Sequence, residues 1–437
     1  MSRKQTIIQG TIILTITGFL SRLMGFFYRI FLSRTFGEEG VGLYQLIFPV
    51  YALCFSLTTA GIETAISRTV ARKISLGEQK EAREILFSGL FFSFLLSCIC
   101  TFLLQKNTAF IANVLLGDAR CEPLLTVLSY TMPFASIHSC ICGYCYGLKQ
   151  TKIPAVSQLM EQTARIVSVY VFYLVLINDQ KAVPISIAVS GLVIGEMASA
   201  FYTAHTLFGC LRVPAKPKIT PGILSARLGE LLPLSLPLTA NRILINLLQS
   251  IEAISIPRCL QQYHYNASEA LSLYGVLNGM ALPCILFPSA ITSSVSIMLM
   301  PTVAEIQVSE NRGEMMDIIK KVAGSCFILG LSCCLVFLLF GHWIGVTLFD
   351  SETAGKFMVT LAWICPFLYT NSALTSVING LGKTGSTFLI NTTGLLIRIA
   401  GVFLVIPHFG IQGYLWGLLI SQLTVTILAF LSIRHTL

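Results

Sequence analysis

The chain has 437 residues, of which 54% are hydrophobic and 11% charged, with a mean hydropathy of +0.78 and a formal net charge of +9. A typical soluble domain carries about 25% charged residues, so this composition excludes a water-soluble globular protein. Long apolar runs recur along the whole length, as in a polytopic all-α membrane protein.

At the N-terminus Arg3 and Lys4 precede an apolar run from Ile7 to about Leu32. That run exceeds the roughly 7–15 residues of a signal-peptide core, and no small-residue cleavage site follows. It is expected to be the first spanning helix. Twelve spans are predicted in all, at about 7–32, 41–67, 85–105, 123–147, 154–177, 184–209, 229–256, 270–300, 322–349, 357–380, 385–407 and 411–433. Each reaches the roughly 20 residues needed to cross the hydrocarbon core. Six fall in each half, giving an N-terminal bundle (1–209), a linker (210–228) containing Pro214, Pro217 and Pro221, and a C-terminal bundle (229–437). Fourteen cysteines are scattered through the apolar segments. Cys142 and Cys145 form a lone CxxC without a second pair, and the six histidines stand alone, so no metal or cofactor site is expected.

The halves repeat. Residues 380–399 (GLGKTGSTFLINTTGLLIRI) follow the pattern of 147–166 (GLKQTKIPAVSQLMEQTARI), with Gly147/Gly380, Leu148/Leu381, Thr151/Thr384, Arg165/Arg398 and Ile166/Ile399 matching at an offset of 233. The same offset pairs Pro133-Phe134 with Pro366-Phe367 and Thr69-Val70-Ala71 with Thr302-Val303-Ala304. A duplicated apolar bundle is the build of many secondary transporters.

With the N-terminus inside, the expected inner segments hold 18 Lys and Arg and the outer ones 6. This asymmetry predicts cytoplasmic termini and explains most of the positive charge without a nucleic-acid partner. The five remaining basic residues, Arg22, Arg29, Arg165, Arg242 and Arg398, fall within spans. Each costs about 2.5–3.5 kcal/mol at a helix centre and needs a partner or a watery cavity. On the first span Thr15, Gly18, Arg22, Gly25 and Arg29 share one helix face. On the seventh, Arg242, Asn246, Gln249 and Glu252 form a second polar stripe. Arginines suit a phosphate-bearing anion through their bidentate fork; snorkelling from a helix end is the alternative for Arg29 and Arg242. Glu161 and Arg165 stand four apart in the favourable order for an ion pair. Arg398 has Gly394 at the equivalent position. Glu63, Glu196 and Glu252 are the other acids within spans, each a coupling-ion site or an arginine partner.

Several segments carry a family resemblance. SRLMGFFYRIFLSRTFGEEGVGLYQL at 21–46, TAGIETAISRTVA at 59–71, EAISIPRCL at 252–260 and LYGVLNGMALPCILFPSAITSSVSIMLMPTVAEI at 273–306 resemble the bacterial lipid II flippases and the stage V sporulation protein B branch, as does 147–166. The resemblance implies the multidrug/oligosaccharidyl-lipid/polysaccharide exporter superfamily: two six-helix bundles forming a V around a central cavity. It further implies that arginines of the first helix and of the second bundle bind a lipid-linked diphosphate. Arg22 matches the arginine of the S-R-x-x-G-F segment, whereas Arg29 sits one place from the second family arginine. Many relatives have fourteen helices, the extra pair serving the lipid tail.

The expectation is a monomeric flippase in the bacterial cytoplasmic membrane. Its substrate would be a polyprenyl-diphosphate-linked saccharide, such as a peptidoglycan precursor, with membrane lipid and precursor-synthesising enzymes as partners. A cation-coupled drug or metabolite exporter is the alternative, and Glu63 and Glu252 keep it open. An intramembrane glycosyltransferase would need convergent acid–base groups and a large surface loop, which the chain does not offer.

Overall fold

In hydrocarbon every backbone N–H and C=O must be satisfied within the chain, so apolar segments of this length become helices. The computed structural model describes residues 3–210, 220–308 and 312–436, and the described residues form helices without a strand. The first part of the chain comprises α1 (Arg3–Leu46), α2 (Phe48–Phe55), α3 (Gly61–Ser75), α4 (Gln79–Lys106), a one-turn α5 (Thr108–Phe110), α6 (Cys121–Ser129), α7 (Thr131–Gly147), α8 (Lys152–Asn178) and α9 (Ser186–Cys210). The second comprises α10 (Pro221–Gln262), α11 (Ala267–Gly275), α12 (Leu282–Leu286), α13 (Ser289–Val308), α14 (Arg312–Phe349), α15 (Glu352–Leu361), α16 (Cys365–Gly380), α17 (Thr384–Ala400) and α18 (Ile406–Thr436).

Among the described residues ten helical stretches are long and apolar enough to cross a membrane. Two of them, Ile12–Ser75 and Thr384–Thr436, each cover two of the expected spans. Within these stretches Gly37 (φ 67°) and Gly410 (φ 61°) leave the helical region, and both fall between expected spans. The span expected at 270–300 is interrupted instead. A turn at Phe287 and Pro288 separates α12 from α13, where proline cannot donate the helical hydrogen bond.

Among the described residues four wide-turn π segments interrupt the helices, one of them Ser56–Ala60 between α2 and α3. Its cause is visible: Asn246 Nδ2 donates to Ala52 O (3.3 Å) and to Ser56 Oγ, while Ser93 Oγ donates to Thr58 O (2.7 Å). Side chains inserted into the ladder of backbone bonds widen a turn in this way.

The chain divides into two compact units. Unit 1 holds residues up to Tyr28 and Leu46–Ser250; unit 2 holds Arg29–Gln45 and the chain from Ile251 onward. These borders lie inside α1 and α10 and so differ from the linear halves anticipated above. Packing explains the membership of α10 up to Ser250. Gly61 of α3 lies so close to it that a Cβ there would sit 2.8 Å from Ser235 O. In unit 2, Ser33 Oγ of α1 donates to Phe349 O. Most of the expected linker, residues 211–219, lies outside the described residues, and α10 already begins at Pro221.

The repeat reappears in the cores. Unit 1 buries Ile66, Val70, Ala82, Leu86, Cys140, Ile141, Tyr144 and Cys145 in one cluster. Unit 2 buries Leu299, Val303, Met315, Ile319, Ala373, Leu374, Val377 and Ile378 in another, each 233 residues later. Gly147 and Gly380 perform the same task. A Cβ on Gly147 would lie 2.8 Å from both Ser67 O and Val70 Cβ, and one on Gly380 2.7 Å from Met300 O and 3.0 Å from Val303 Cβ. Small residues at such crossings let helices pack closely in lipid. Both helices then end in the same cap. Gln150 N–H donates to Cys145 O (2.9 Å) and Lys383 N–H to Ile378 O (3.1 Å), around left-handed Lys149 (φ 61°) and Gly382 (φ 79°).

The helix that follows the matched α8 and α17, α9 in one copy of the repeat and α18 in the other, obeys a shorter offset of 226. Gly195 of α9 lies against Glu161 O (2.8 Å from an added Cβ), and Ser421 Oγ of α18 donates to Gly394 O (2.8 Å), the equivalent of Glu161. The change of seven falls at the corner. Residues 179–185 join α8 to α9, whereas the second unit turns at Gly410.

Candidate functional site

The polar face of α1 is open. Gly18 and Gly25 have room for a side chain, with no atom within 4 Å of an added Cβ. Arg22 between them is exposed in unit 1 and makes no ion pair among the described residues. Arg29 is half-buried and belongs to unit 2, where Nη1 lies 3.4 Å from Asn278 O. The two arginines of this stripe therefore have different surroundings.

The stripe on α10 is divided likewise. Arg242 is exposed in unit 1, within electrostatic reach of the half-buried Glu63 of α3. Asn246 is committed to Ala52 and Ser56, while Gln249 is exposed. Glu252 is buried in unit 2, far from Arg398 in sequence but paired with it. Arg398 Nε donates to Glu252 Oε1 at 2.7 Å, a second guanidinium nitrogen donates to Oε2, and Tyr414 Oη donates to Oε1 at 2.6 Å. This bidentate arrangement supplies the partner that Gly394 could not. Arg165 pairs with Glu161 along α8, as their spacing predicts.

Glu196 on α9 is 7% exposed and joins a cluster that its sequence neighbours do not reveal. Tyr51 Oη of α2 donates to Glu196 Oε1 (3.2 Å), and His138 Nδ1 of α7 lies 3.4 Å from Glu196 Oε2. The other ring nitrogen of His138 is 3.0 Å from Ser157 Oγ of α8. His138, Glu161 and Glu196 bring one ligand atom each to within 4.8 Å of one another. The expectation that the histidines stand alone is thus corrected for His138. Its neighbours come from other helices, where composition cannot display them. The signal available was the repeat, which places Asn371 opposite His138.

A separate ion-pair network lies at one end of unit 1. Arg227 of α10 contacts Glu81 (2.7 Å), Glu84 (3.0 Å) and Glu230 (2.6 Å), and Lys73 contacts Glu81 (2.6 Å) and Glu78 (3.0 Å). It fastens the start of α10 to α3 and α4.

Stage V sporulation protein B of Bacillus subtilis (strain 168) is 28% identical over 439 residues, covering 97% of this chain and 83% of that protein. The lipid II flippase MurJ of the same organism is 27% identical over 169 residues, 37% of this chain and 31% of its own. Among solved structures, the lipid II flippase MurJ in an inward closed conformation aligns with a TM-score of 0.75 at 14% identity, covering 97% of this chain and 87% of that one. An inward-facing multidrug resistance MATE family transporter of the MOP superfamily aligns with a TM-score of 0.67 at 16% identity, covering 95% and 94%. At these identities the structural likeness is one of fold alone, while the ten long apolar helices among the described residues mark a multi-pass membrane protein. Residues 7–307 match the polysaccharide biosynthesis protein family, to which the chain therefore belongs.

Proposed function

We propose that the protein is a flippase that carries a polyprenyl-diphosphate-linked saccharide, of the peptidoglycan-precursor kind, across the cytoplasmic membrane by alternating access. The observation that carries this reading is Arg22: an exposed cation on an open face of a spanning helix, without an acidic partner among the described residues. An uncompensated arginine at that depth costs about 2.5–3.5 kcal/mol, which an anionic ligand would offset. Arg242 is exposed in the same unit and would bind the diphosphate with it, while the exposed Gln249 offers a polar contact to the head group and Asn246, already committed to Ala52 and Ser56, holds the helix beside it. Arg29 is the weaker member because it already has a carbonyl contact in unit 2. Binding of the diphosphate to these side chains would offset its desolvation, and the lipid tail would stay in the bilayer. No covalent chemistry is required, and the chain acts as a transporter, not an enzyme. The lipid II flippase among the relatives and the polysaccharide biosynthesis family support this substrate class.

The working unit would be a monomer with both termini cytoplasmic, served by the enzymes that build lipid-linked precursors. Depletion of the protein is expected to accumulate such precursors, with rescue by wild type and not by Arg22→Ala. Rescue by Arg22→Ala equal to wild type would sink the proposal. Cysteine labelling at position 216 is expected from the cytoplasmic side; labelling from outside alone would invert the topology. The exporter reading is favoured by the buried acids of unit 1 and by the MATE-like fold. Drug efflux without any precursor phenotype would select it.

A further inference from the structure

Five helices of unit 1 end around one cavity. The last turns of α3, α7 and α9 and the first turns of α4 and α8 enclose about 280 Å³, lined by residues of unit 1 alone. These helix ends also carry Lys73, Lys80, Lys149 and Lys152, which the charge asymmetry assigns to the cytoplasmic side. The volume lies just under the range of about 300–1,000 Å³ for sites of drug-sized ligands, which suits a head group or a small anion.

The walls are of two kinds. Leu148, Ile153 and Leu207 present hydrocarbon, while Arg83, Gln79 and Gln150 supply hydrogen-bond donors. None of the lining residues is acidic. The nearby acids are already engaged: Glu78 and Glu81 by Lys73, and Glu81, Glu84 and Glu230 by Arg227. Arg83 is half-buried and makes no ion pair among the described residues; beside it lies the hydroxyl of the buried Tyr144. A neutral hydroxyl orients a guanidinium without neutralising it, and leaves most of its five N–H donors for another acceptor. An arginine that only marks the cytoplasmic side could stay in water. This one lines a cavity.

The second copy of the repeat supplies a comparison. At the offset of 233, Arg83 becomes Met316, Tyr144 becomes Val377 and Cys145 becomes Ile378; at 226, Leu207 becomes Ile433. Val377, Ile378 and Ile433 belong to the hydrophobic core of unit 2. Apolar side chains therefore serve at these positions, and the fold does not demand the cation and hydroxyl found in unit 1.

The surroundings favour a lipid over a soluble anion. Leu76, just beyond α3, is 64% exposed, and Tyr146, on the last turn of α7, is 38% exposed. Water penalises such apolar surface, whereas the edge of a bilayer accepts it. Exposed lysines stand beside lining residues in the chain: Lys80 next to Gln79, Lys149 between Leu148 and Gln150, and Lys152 next to Ile153. Basic pockets between helices on the cytoplasmic side hold anionic head groups, and a guanidinium fork fits the two free oxygens of a phosphodiester.

We propose that this cavity binds the phosphodiester head group of an anionic phospholipid of the phosphatidylglycerol kind. The phosphate meets Arg83, the head-group hydroxyls meet Gln79 and Gln150, and the first tail carbons lie against Leu148, Ile153 and Leu207. The bound lipid joins the ends of five helices and braces unit 1. The site stands apart from Arg22 and Arg242 and does not depend on the flippase reading; only its side of the membrane rests on the topology proposed above.

The test uses the full-length protein in nonionic detergent micelles with added phosphatidylglycerol or phosphatidylcholine. Native mass spectrometry measures lipid affinity, and thermal unfolding with each lipid measures the bracing. Wild type is expected to prefer phosphatidylglycerol and to unfold at a higher temperature with it. Arg83→Met, which writes the unit 2 residue into unit 1, is expected to weaken the tightest phosphatidylglycerol by about tenfold or more, the contribution of one charged hydrogen bond. Gln150→Trp fills the cavity from an exposed position while keeping the arginine, and is expected to weaken binding likewise. Lys80→Met removes a neighbouring exposed charge and is expected to cost about fivefold at most. Affinity unchanged in either folded cavity variant would overturn the proposal, as would equal binding of phosphatidylcholine by wild type. A loss with Lys80→Met as large as with Arg83→Met would reduce the effect to surface charge and overturn it too. Displacement of the lipid by millimolar inorganic phosphate, with stabilisation by phosphate alone, would refute the lipid and make this a soluble-anion site.

Discussion

Replacing Glu252 with glutamine isolates one charge in the core of unit 2. The carboxylate is 4% exposed in its side chain and accepts three hydrogen bonds, two from Arg398 and one from Tyr414. Glutamine preserves the shape but leaves the Arg398 guanidinium, 27% exposed, without a counter-charge. Breaking a buried pair by removing one partner costs about 3–5 kcal/mol. The membrane-embedded unfolded state also finds partners, which lowers the expectation to about 2–4 kcal/mol. Glu161→Gln should cost less, because Glu161 and Arg165 are neighbours on one helix and stay close even when tertiary packing is lost. The measurement is a double-mutant cycle on the purified protein, combining Glu252→Gln with Arg398→Gln and reading reversible unfolding in mixed micelles. A coupling energy of about 2 kcal/mol or more is expected. Coupling below about 0.5 kcal/mol would show that the pair is not a structural tie, and the account of Arg398 given above would fail.

Other outcomes follow from the same geometry. Gly147→Ala and Gly380→Ala should each destabilise by about 1–3 kcal/mol through overpacking, whereas Gly385→Ala, which has open space around it, should stay within about 0.5 kcal/mol; equal effects at all three would refute the helix-crossing role. Arg227→Met should cost about 1–3 kcal/mol, because Glu84 is 6% exposed and loses its 3.0 Å partner, and hydrogen exchange should rise first at the start of α10. Burial pushes the Asp118 carboxyl up, but hydrogen bonds from the Arg120 side chain and backbone N–H outweigh it and hold it below its ordinary value. A lowered carboxyl stabilises the fold above its unfolded pKa and loses that contribution as pH falls through the folded one. Asp118→Asn should therefore cost about 0.2–1 kcal/mol at neutral pH, a figure kept small because Arg120 is 50% exposed. The cost should vanish in acid; a cost that persists there would point to packing instead.

The membrane fold was legible because the apolar runs are long and the offset of 233 recurs in unrelated segments. Glu161 with Arg165 was legible for a simpler reason, since one helical turn fixes their separation. The tie between Glu252 and Arg398 was not, because they lie on different helices and no local pattern relates them. His138 was missed for the same reason: Glu161 and Glu196 approach it from α8 and α9. The unit borders also escaped a linear reading. A continuous helix such as α1 or α10 gives no compositional mark where its packing partners change. Arg22 could be singled out because charge inside an apolar run is conspicuous, but only the empty space around Gly18 and Gly25 distinguishes an open face from a packed one.

The two corners that break the repeat have a practical use. At 179–185 the first unit has seven residues of slack, largely exposed and free of helix, whereas its counterpart is drawn tight at Gly410 against the ring of Tyr263. An epitope or fiducial domain grafted into 179–185 has room to leave the protein, while the same graft at Gly410 would have to force its way past an aromatic ring. The asymmetry gives imaging experiments a handle on one unit alone.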